Sequence, residues 1–231
     1  LSDVVLLHST ACDRGMWEPQ LPALAGHRVL RPDFRGYGAE PAVPSFDPAA
    51  DVRALLDGPV VLVGSSFGGS IAQEVACRWP SLVSGLVLLC PGRHGVPLTP
   101  AISAWAARER ELLATGDVDG VVELAVETWL GPEADEVARK SVREMKRRSV
   151  LAQLGHDAEI RRTPVDAGEI RVPTLVVSGG HDVDYFQQVA ESLAHDIPGA
   201  RHVHLDWAGH LPNLERPDAV NALLEDFLAL E

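Results

Sequence analysis

Four apolar runs, Val4–Leu7, Val60–Val63, Leu86–Leu89 and Leu175–Val177, are continuous and do not alternate with polar residues. Strands of that character are covered on both faces, which predicts a parallel sheet held between layers of helix. Val29-Leu30 and Val203-His204-Leu205 predict two shorter strands. Helical patterns lie between the runs. Ile71, Ala72, Val75, Ala76 and Trp79 mark one side of a helix that stops before Pro80. Near the end of the chain, Val220, Leu223, Leu224, Phe227 and Leu228 recur at helical spacing and make a stripe to bury against the sheet. The order β, α, β, α predicts an α/β fold with a doubly wound, mostly parallel sheet.

From Arg93 to Arg171 the alternation breaks and only helical patterns follow. Thr99 is an N-cap with Pro100 at the first helical position, and Gly116 closes that helix. Asp117 caps a second, with Val121, Val122, Ala125, Val126 and Trp129 on one face and Gly131-Pro132 ending it. A third is predicted from about Glu133 to Leu154. The chain thus divides into a core of residues 1–92 and 171–231 and a helical cap, residues 93–170, inserted over the strand ends where open α/β sheets carry their sites.

Composition narrows the function classes. With 231 residues, 46% hydrophobic and 23% charged, the chain suits a soluble globular protein with one sizeable core or a core with an inserted subdomain. A formal net charge of -13 argues against nucleic acid, since phosphate binding needs a basic footprint. No apolar run reaches the length of a membrane span, and no basic-then-apolar leader precedes the first strand. A start at Leu1 is compatible with an earlier segment having been removed. Cys12, Cys77 and Cys90 are too scattered for a disulfide framework or a zinc cluster and fit a reducing, cytoplasmic setting. The expected partner is a small molecule, with no cofactor and no metal.

The run Val60–Val63 leads straight into Gly64-Ser65-Ser66-Phe67-Gly68-Gly69 and then a helical pattern. Gly-x-Ser-x-Gly on a strand-to-helix turn frames Ser66, not Ser65, as a nucleophile, because a turn that tight tolerates only small neighbours. A serine needs a base. His210, in the loop Trp207-Ala208-Gly209-His210 between a strand and the last helix, is the best placed of nine histidines. The base needs a carboxylate to hold its tautomer. Asp182, after the glycine turn Ser178-Gly179-Gly180, is favoured over its competitor Asp184, while Cys90-Pro91-Gly92-Arg93-His94 after the preceding strand offers none.

The order Ser66, Asp182, His210 is that of the α/β-hydrolases. The chain resembles that superfamily over nearly its whole length, in the branch of small esterases, lactonases and haloperoxidase-like proteins. Leu6-Leu7-His8-Ser9-Thr10 resembles the family's oxyanion loop, and Asp33-Phe34-Arg35-Gly36-Tyr37-Gly38 its Asp-x-Arg-Gly-x-Gly turn. The resemblance implies an oxyanion hole made by the backbone N–H groups of Phe67 and Thr10. Two departures stand out. Ser9 occupies a position usually held by glycine, and the chain opens directly on Val4–Leu7 without the family's N-terminal hairpin, so a shorter sheet is expected.

Other patterns compete. His202-Val203-His204-Leu205-Asp206 looks like part of a zinc motif, but Trp207 replaces the closing histidine and strand alternation explains the pair. Epoxide hydrolase and haloalkane dehalogenase chemistry needs an aspartate where Ser66 stands, and Tyr37 and Tyr185 both lie outside the cap. The basic run Arg139, Lys140, Arg143, Lys146, Arg147 and Arg148 is either a clamp for an anionic tail or, preferred, a solvated face balancing Glu133, Asp135, Glu136 and Glu144. Trp17, His94, Trp105 and Trp129 are candidate pocket walls. The reading is a serine hydrolase of small carboxylic esters or lactones. Thioesterase, C–C bond hydrolase, cofactor-free haloperoxidase or perhydrolase, and lyase activity would share the same triad. The alternative of another class is a catalytically silent binding protein on the same fold.

Overall fold

The computed structural model describes residues 3–229; the terminal positions 1–2 and 230–231, counted in the expected core, lie outside the described residues. The strands among them are β1 (Asp3–Leu7), β2 (Val29–Leu30), β3 (Ser45–Phe46), β4 (Val60–Ser65), β5 (Val83–Leu89), β6 (Glu159–Ile160), β7 (Thr174–Gly179) and β8 (Arg201–Leu205). Six of these form one parallel sheet in the order β2-β1-β4-β5-β7-β8. All six strands anticipated from the apolar runs are present. Val61, Leu62 and Val63 of β4 are fully buried, as are Val4 to Leu7 of β1 and Leu175 to Val177 of β7. Each such side chain stabilises the fold by about 1.5–3 kcal/mol relative to exposure.

The helices are α1 (Pro48–Arg53), α2 (Phe67–Arg78), α3 (Pro100–Ala114), α4 (Val118–Trp129), α5 (Glu136–Gln153), α6 (Asp184–Asp196), α7 (Pro212–Glu215) and α8 (Pro217–Leu228). Helix α2 buries Ile71, Ala72, Val75 and Ala76, and α8 buries Val220, Leu224 and Phe227, the faces their spacing predicts. From β1 the chain passes outward to β2; from β4 it passes the other way, to β5, β7 and β8. The sheet order therefore reverses between β1 and β4, and the crevice beyond their carboxyl ends is where such a sheet can take a ligand.

The insertion between β5 and β7 is built on α3, α4 and α5, whose N-caps Thr99, Asp117 and Asp135 accept from the N–H groups of Ile102, Gly120 and Ala138. The cap at Asp135 starts the third helix at Glu136, slightly later than its pattern predicts. The segment is not helices only. β6 lies within it and pairs in parallel with β3, Ser45 opposite Glu159 and Phe46 opposite Ile160, and a 3-10 turn spans Ala167–Glu169. Two-residue strands are too short to leave a periodic trace.

The basic run on α5 is spent mainly on neighbouring helices. Arg143 pairs with Glu123 and Glu136, Lys146 with Glu109, Arg147 with Asp119 and Arg148 with Asp13. These pairs join α5 to α3, to α4 and to the loop after β1. Among the described residues no helix is long and apolar enough to cross a membrane.

Candidate active site

Ser66 sits between β4 and α2 with φ 53° and ψ −113°, a conformation costly for any residue with a Cβ. Its surroundings hold it there. The Ser66 N–H donates to the Leu89 carbonyl at 3.0 Å, and the Ser66 carbonyl accepts from Gly92 at 3.0 Å and Ser70 at 3.1 Å. The flanking glycines are required by close approach: a Cβ on Gly64 would lie 2.5 Å from the Gly68 oxygen, and one on Gly68 would collide with the Leu7 carbonyl. Ser65 points into the protein, fully buried, and among the described residues its hydroxyl has no partner.

Asp182 and His210 form a buried pair. The imidazole Nδ1–H donates to Asp182 Oδ2 at 2.8 Å, which leaves Nε2 with its lone pair free to take a proton. The other carboxylate oxygen accepts from the Val183 N–H at 2.7 Å. Asp184, the competitor, is exposed and accepts from the Thr99 hydroxyl instead. The His210 ring packs on Phe186, with centroids 4.1 Å apart, and on Trp129 at 4.7 Å. Phe186 and Ser66 border the same cavity, so Phe186 bridges the serine and the imidazole. Among the described residues no hydrogen bond yet joins the Ser66 hydroxyl to His210; such contacts commonly tighten only when substrate is bound.

The Cys90 thiol completes a buried trio, its sulfur within 4.8 Å of both the Asp182 and His210 ligand atoms. By residue type this is a ligand set. Burial first, and then the Asp182 charge, push the Cys90 thiol well above its ordinary pKa. His202 and His204 share the Ser178 hydroxyl, each ring nitrogen 2.9 Å from it.

The two residues expected to supply oxyanion N–H groups, Phe67 and Thr10, border one cavity. Phe67 opens α2, where the first N–H groups have no intrahelical acceptor. The loop after β1 engages Ser9, Ala11 and Cys12 internally, with Ala11 donating to the Ser9 hydroxyl at 3.2 Å and Cys12 to the Ser9 carbonyl at 3.0 Å. Among the described residues the Thr10 N–H takes no such partner. Ser9 therefore fills its glycine-like position by turning its side chain inward to close the loop. His8 braces the loop from below: Nδ1–H donates to the Ser9 carbonyl at 2.9 Å, and Nε2 accepts from the Phe34 N–H at 3.0 Å. Full burial holds its pKa below the ordinary value and keeps the ring neutral.

Two cavities meet at Thr10. One of about 390 Å³ is bordered by Ser66, Phe67, His94 and Phe186. The other, about 470 Å³, lies beneath the cap and is bordered by Trp105, Tyr37 and Lys146. Trp129 stacks between Trp105, at 4.6 Å, and His210, linking cap to base. Trp17 is wholly buried in the main core.

Two further residues near the site were not among the candidates read from the sequence. Glu215 accepts the N–H groups of Gly131, Gly209 and Leu211 on one buried carboxylate. Burial raises its pKa despite the opposing pull of these donors and of His210. Arg162 borders the serine-side cavity and donates to Glu74, 88 positions earlier in the chain, and to Ser70. Only the fold brings these partners together.

Comparison with known proteins shows the family and the fold. Residues 4–223 match the model of the Alpha/beta hydrolase family. Pimeloyl-[acyl-carrier protein] methyl ester esterase of Neisseria meningitidis is 28% identical, over 97% of this chain and 92% of that one. The crystal structure of the enol-lactonase from Burkholderia xenovorans LB400 superposes with a TM-score of 0.80 at 29% identity, covering 99% of this chain and 91% of the other. A hydrolase from Pseudomonas aeruginosa PA01 superposes with a TM-score of 0.78 at 30% identity, covering 98% and 89%.

Proposed function

The chain belongs to the alpha/beta hydrolase family, and on that premise we propose that it is a serine hydrolase of small carboxylic esters or lactones. The observation that carries this reading is the 2.8 Å contact between buried Asp182 and His210, which follow strands of the same parallel sheet as a serine held at positive φ. A protein that only bound ligands would have no use for that strain.

In the proposed reaction His210 Nε2 takes the proton of Ser66 Oγ as the oxygen attacks the carbonyl carbon. The resulting oxyanion receives the N–H groups of Phe67 and Thr10, and loss of one such donor typically costs about 10²–10³ in turnover. Collapse expels the alcohol, which takes the proton from His210. Asp182 steadies the imidazolium in between. Water, deprotonated by the same Nε2, then attacks the acyl-serine, and the acid leaves as Ser66 Oγ takes that proton back from His210; with a lactone, alcohol and acid leave as one molecule. Cavities of about 390 and 470 Å³ suit a small substrate. Enol-lactone and methyl ester hydrolysis, named for two relatives, fall in the same class.

A fluorophosphonate probe tests the reading. The wild type is expected to label stoichiometrically and Ser66→Ala not at all. An unlabelled wild type, or equal labelling of the variant, overturns it.

A further inference from the structure

The chain is strongly acidic, with a formal net charge of -13, yet the cavity beside Ser66 is bordered by Arg93, His94 and Arg162 and, among the residues that border it, by no carboxylate. Arg162 is the informative one. Its side chain is only 11% exposed, and its guanidinium carbon lies 5.4 Å from the ring centroid of Phe67, the residue whose N–H faces the developing oxyanion. Nε donates to Glu74 at 2.9 Å and Nη2 to the Ser70 hydroxyl at 2.7 Å, while Nη1 has no partner among the described residues.

A mostly covered arginine paired to a buried glutamate could be a brace and nothing more. The local charges argue for more than that. Glu74 already has a second cation, Arg78 at 2.8 Å, and the Thr163 N–H at 3.1 Å. Arg78 in turn is bound to Asp47 at 3.0 Å. The four groups alternate in sign, Asp47, Arg78, Glu74, Arg162, and the positive end of the row is the one at the cavity. Arg93 opposite is held by Asp196 at 2.6 Å and by Ser192 at 3.1 Å, which fixes it at the rim. A guanidinium with unspent donors at the border of an open cavity matches a planar carboxylate, which it can grip in two places.

Building on the serine-hydrolase reading, we infer that Arg162 is a specificity residue and that the physiological substrate carries a carboxylate on the side of the scissile bond lying over Ser70. Arg162 binds and orients that group and takes no part in the proton transfers. An uncharged ester leaves Nη1 without a solute partner and loses the orientation.

The comparison is between 4-nitrophenyl hydrogen glutarate and 4-nitrophenyl pentanoate, which differ by a carboxylate against a methyl group at the far end. The wild type is expected to favour the glutarate ester in kcat/KM by about tenfold or more, a preference that shrinks as salt screens the charge. In Arg162→Gln the ratio should fall to near one, and Arg162→Lys should recover part of it. A brace alone would change both rates and leave their ratio. If Arg162→Gln does not fold, the wild-type ratio and its salt dependence still decide. Equal turnover of the two esters, a salt-independent preference, or a preference that survives in Arg162→Gln overturns the carboxylate site while leaving the serine-hydrolase reading intact. Turnover of neither ester, with no labelling of Ser66, overturns both.

Discussion

The carboxylate of Glu215 receives the backbone N–H of Gly209 on both oxygens, at 3.1 and 3.0 Å, and so fixes the residue immediately before His210. The same group takes the Gly131 N–H at 3.1 Å and the Leu211 N–H at 3.3 Å, so it ties the end of the cap's second helix to the histidine loop. The two glycines are packed so tightly that a Cβ on Gly131 would lie 2.7 Å from the Gly209 nitrogen. Glu215→Gln replaces one acceptor oxygen with an NH₂ that faces donors. Stability should fall by about 1.5–3 kcal/mol, read as a lower thermal midpoint. Well below that midpoint the rate of fluorophosphonate labelling should also fall, by about tenfold, because the imidazole loses its seat. A destabilised variant that labels at the wild-type rate would make Glu215 a structural residue only.

Ser66 at φ 53° separates two inactive variants that would otherwise look equivalent. Ser66→Ala removes the hydroxyl and keeps the strained Cβ, whereas Ser66→Gly removes both, and glycine adopts positive φ freely. Glycine also costs more backbone entropy on folding, so the net gain is smaller than the strain itself. Ser66→Gly should still unfold at a higher temperature than Ser66→Ala, by about 1 kcal/mol of stability. A lower midpoint for the glycine variant would mean that the elbow stores no strain.

What could be read from the chain and what could not divide along the range of the interactions. β4, its glycine turn and α2 form one continuous stretch, so apolar run, breaker and helical face all lie within 19 residues, 60–78. Asp182 and His210 announce themselves by their positions after strands β7 and β8. β3 and β6 went unread because two residues carry no period and their partners lie more than a hundred positions apart. Arg162 carries no signal of its own in the sequence, since Glu74 and Ser70 reach it only through the fold. The α5 cations show the same limit. Of the expected acids, Glu136 and Glu144 pair with the run inside α5, but Glu109, Asp119 and Glu123 come from the other two cap helices.

Asp182 and Asp184 differ by two positions and, in this geometry, completely in role. Asp182 is buried against His210, while Asp184 is exposed at the start of α6 and holds Thr99. Asp182→Asn leaves the imidazole without its acceptor and favours the wrong tautomer, so ester turnover should drop by about 10⁴-fold. Asp184→Asn can still accept from the Thr99 hydroxyl and should stay within about threefold of wild type. Comparable losses in the two variants would remove Asp182 from the triad.

His8 makes the oxyanion loop sensitive to acid. Its Nε2 accepts from the Phe34 N–H, so a proton on that nitrogen would break the bond and place a charge among Phe34 and Tyr37, whose rings lie 4.6 and 5.1 Å away. Burial accordingly lowers its pKa in the folded state, whereas in the unfolded chain it titrates near 6.5. Between the lowered value and 6.5 the unfolded chain binds a proton that the folded protein does not, so stability rises with pH across that window. The contribution is complete above 6.5 and is lost progressively as pH falls below it. Thermal midpoints measured from about pH 7 down to about pH 5 should decline in the wild type, and less steeply in His8→Gln, where an amide can both donate to the Ser9 carbonyl and accept from Phe34. Parallel curves for the two proteins would show that acid acts elsewhere, with His202, whose pKa is likewise lowered, the next group to replace.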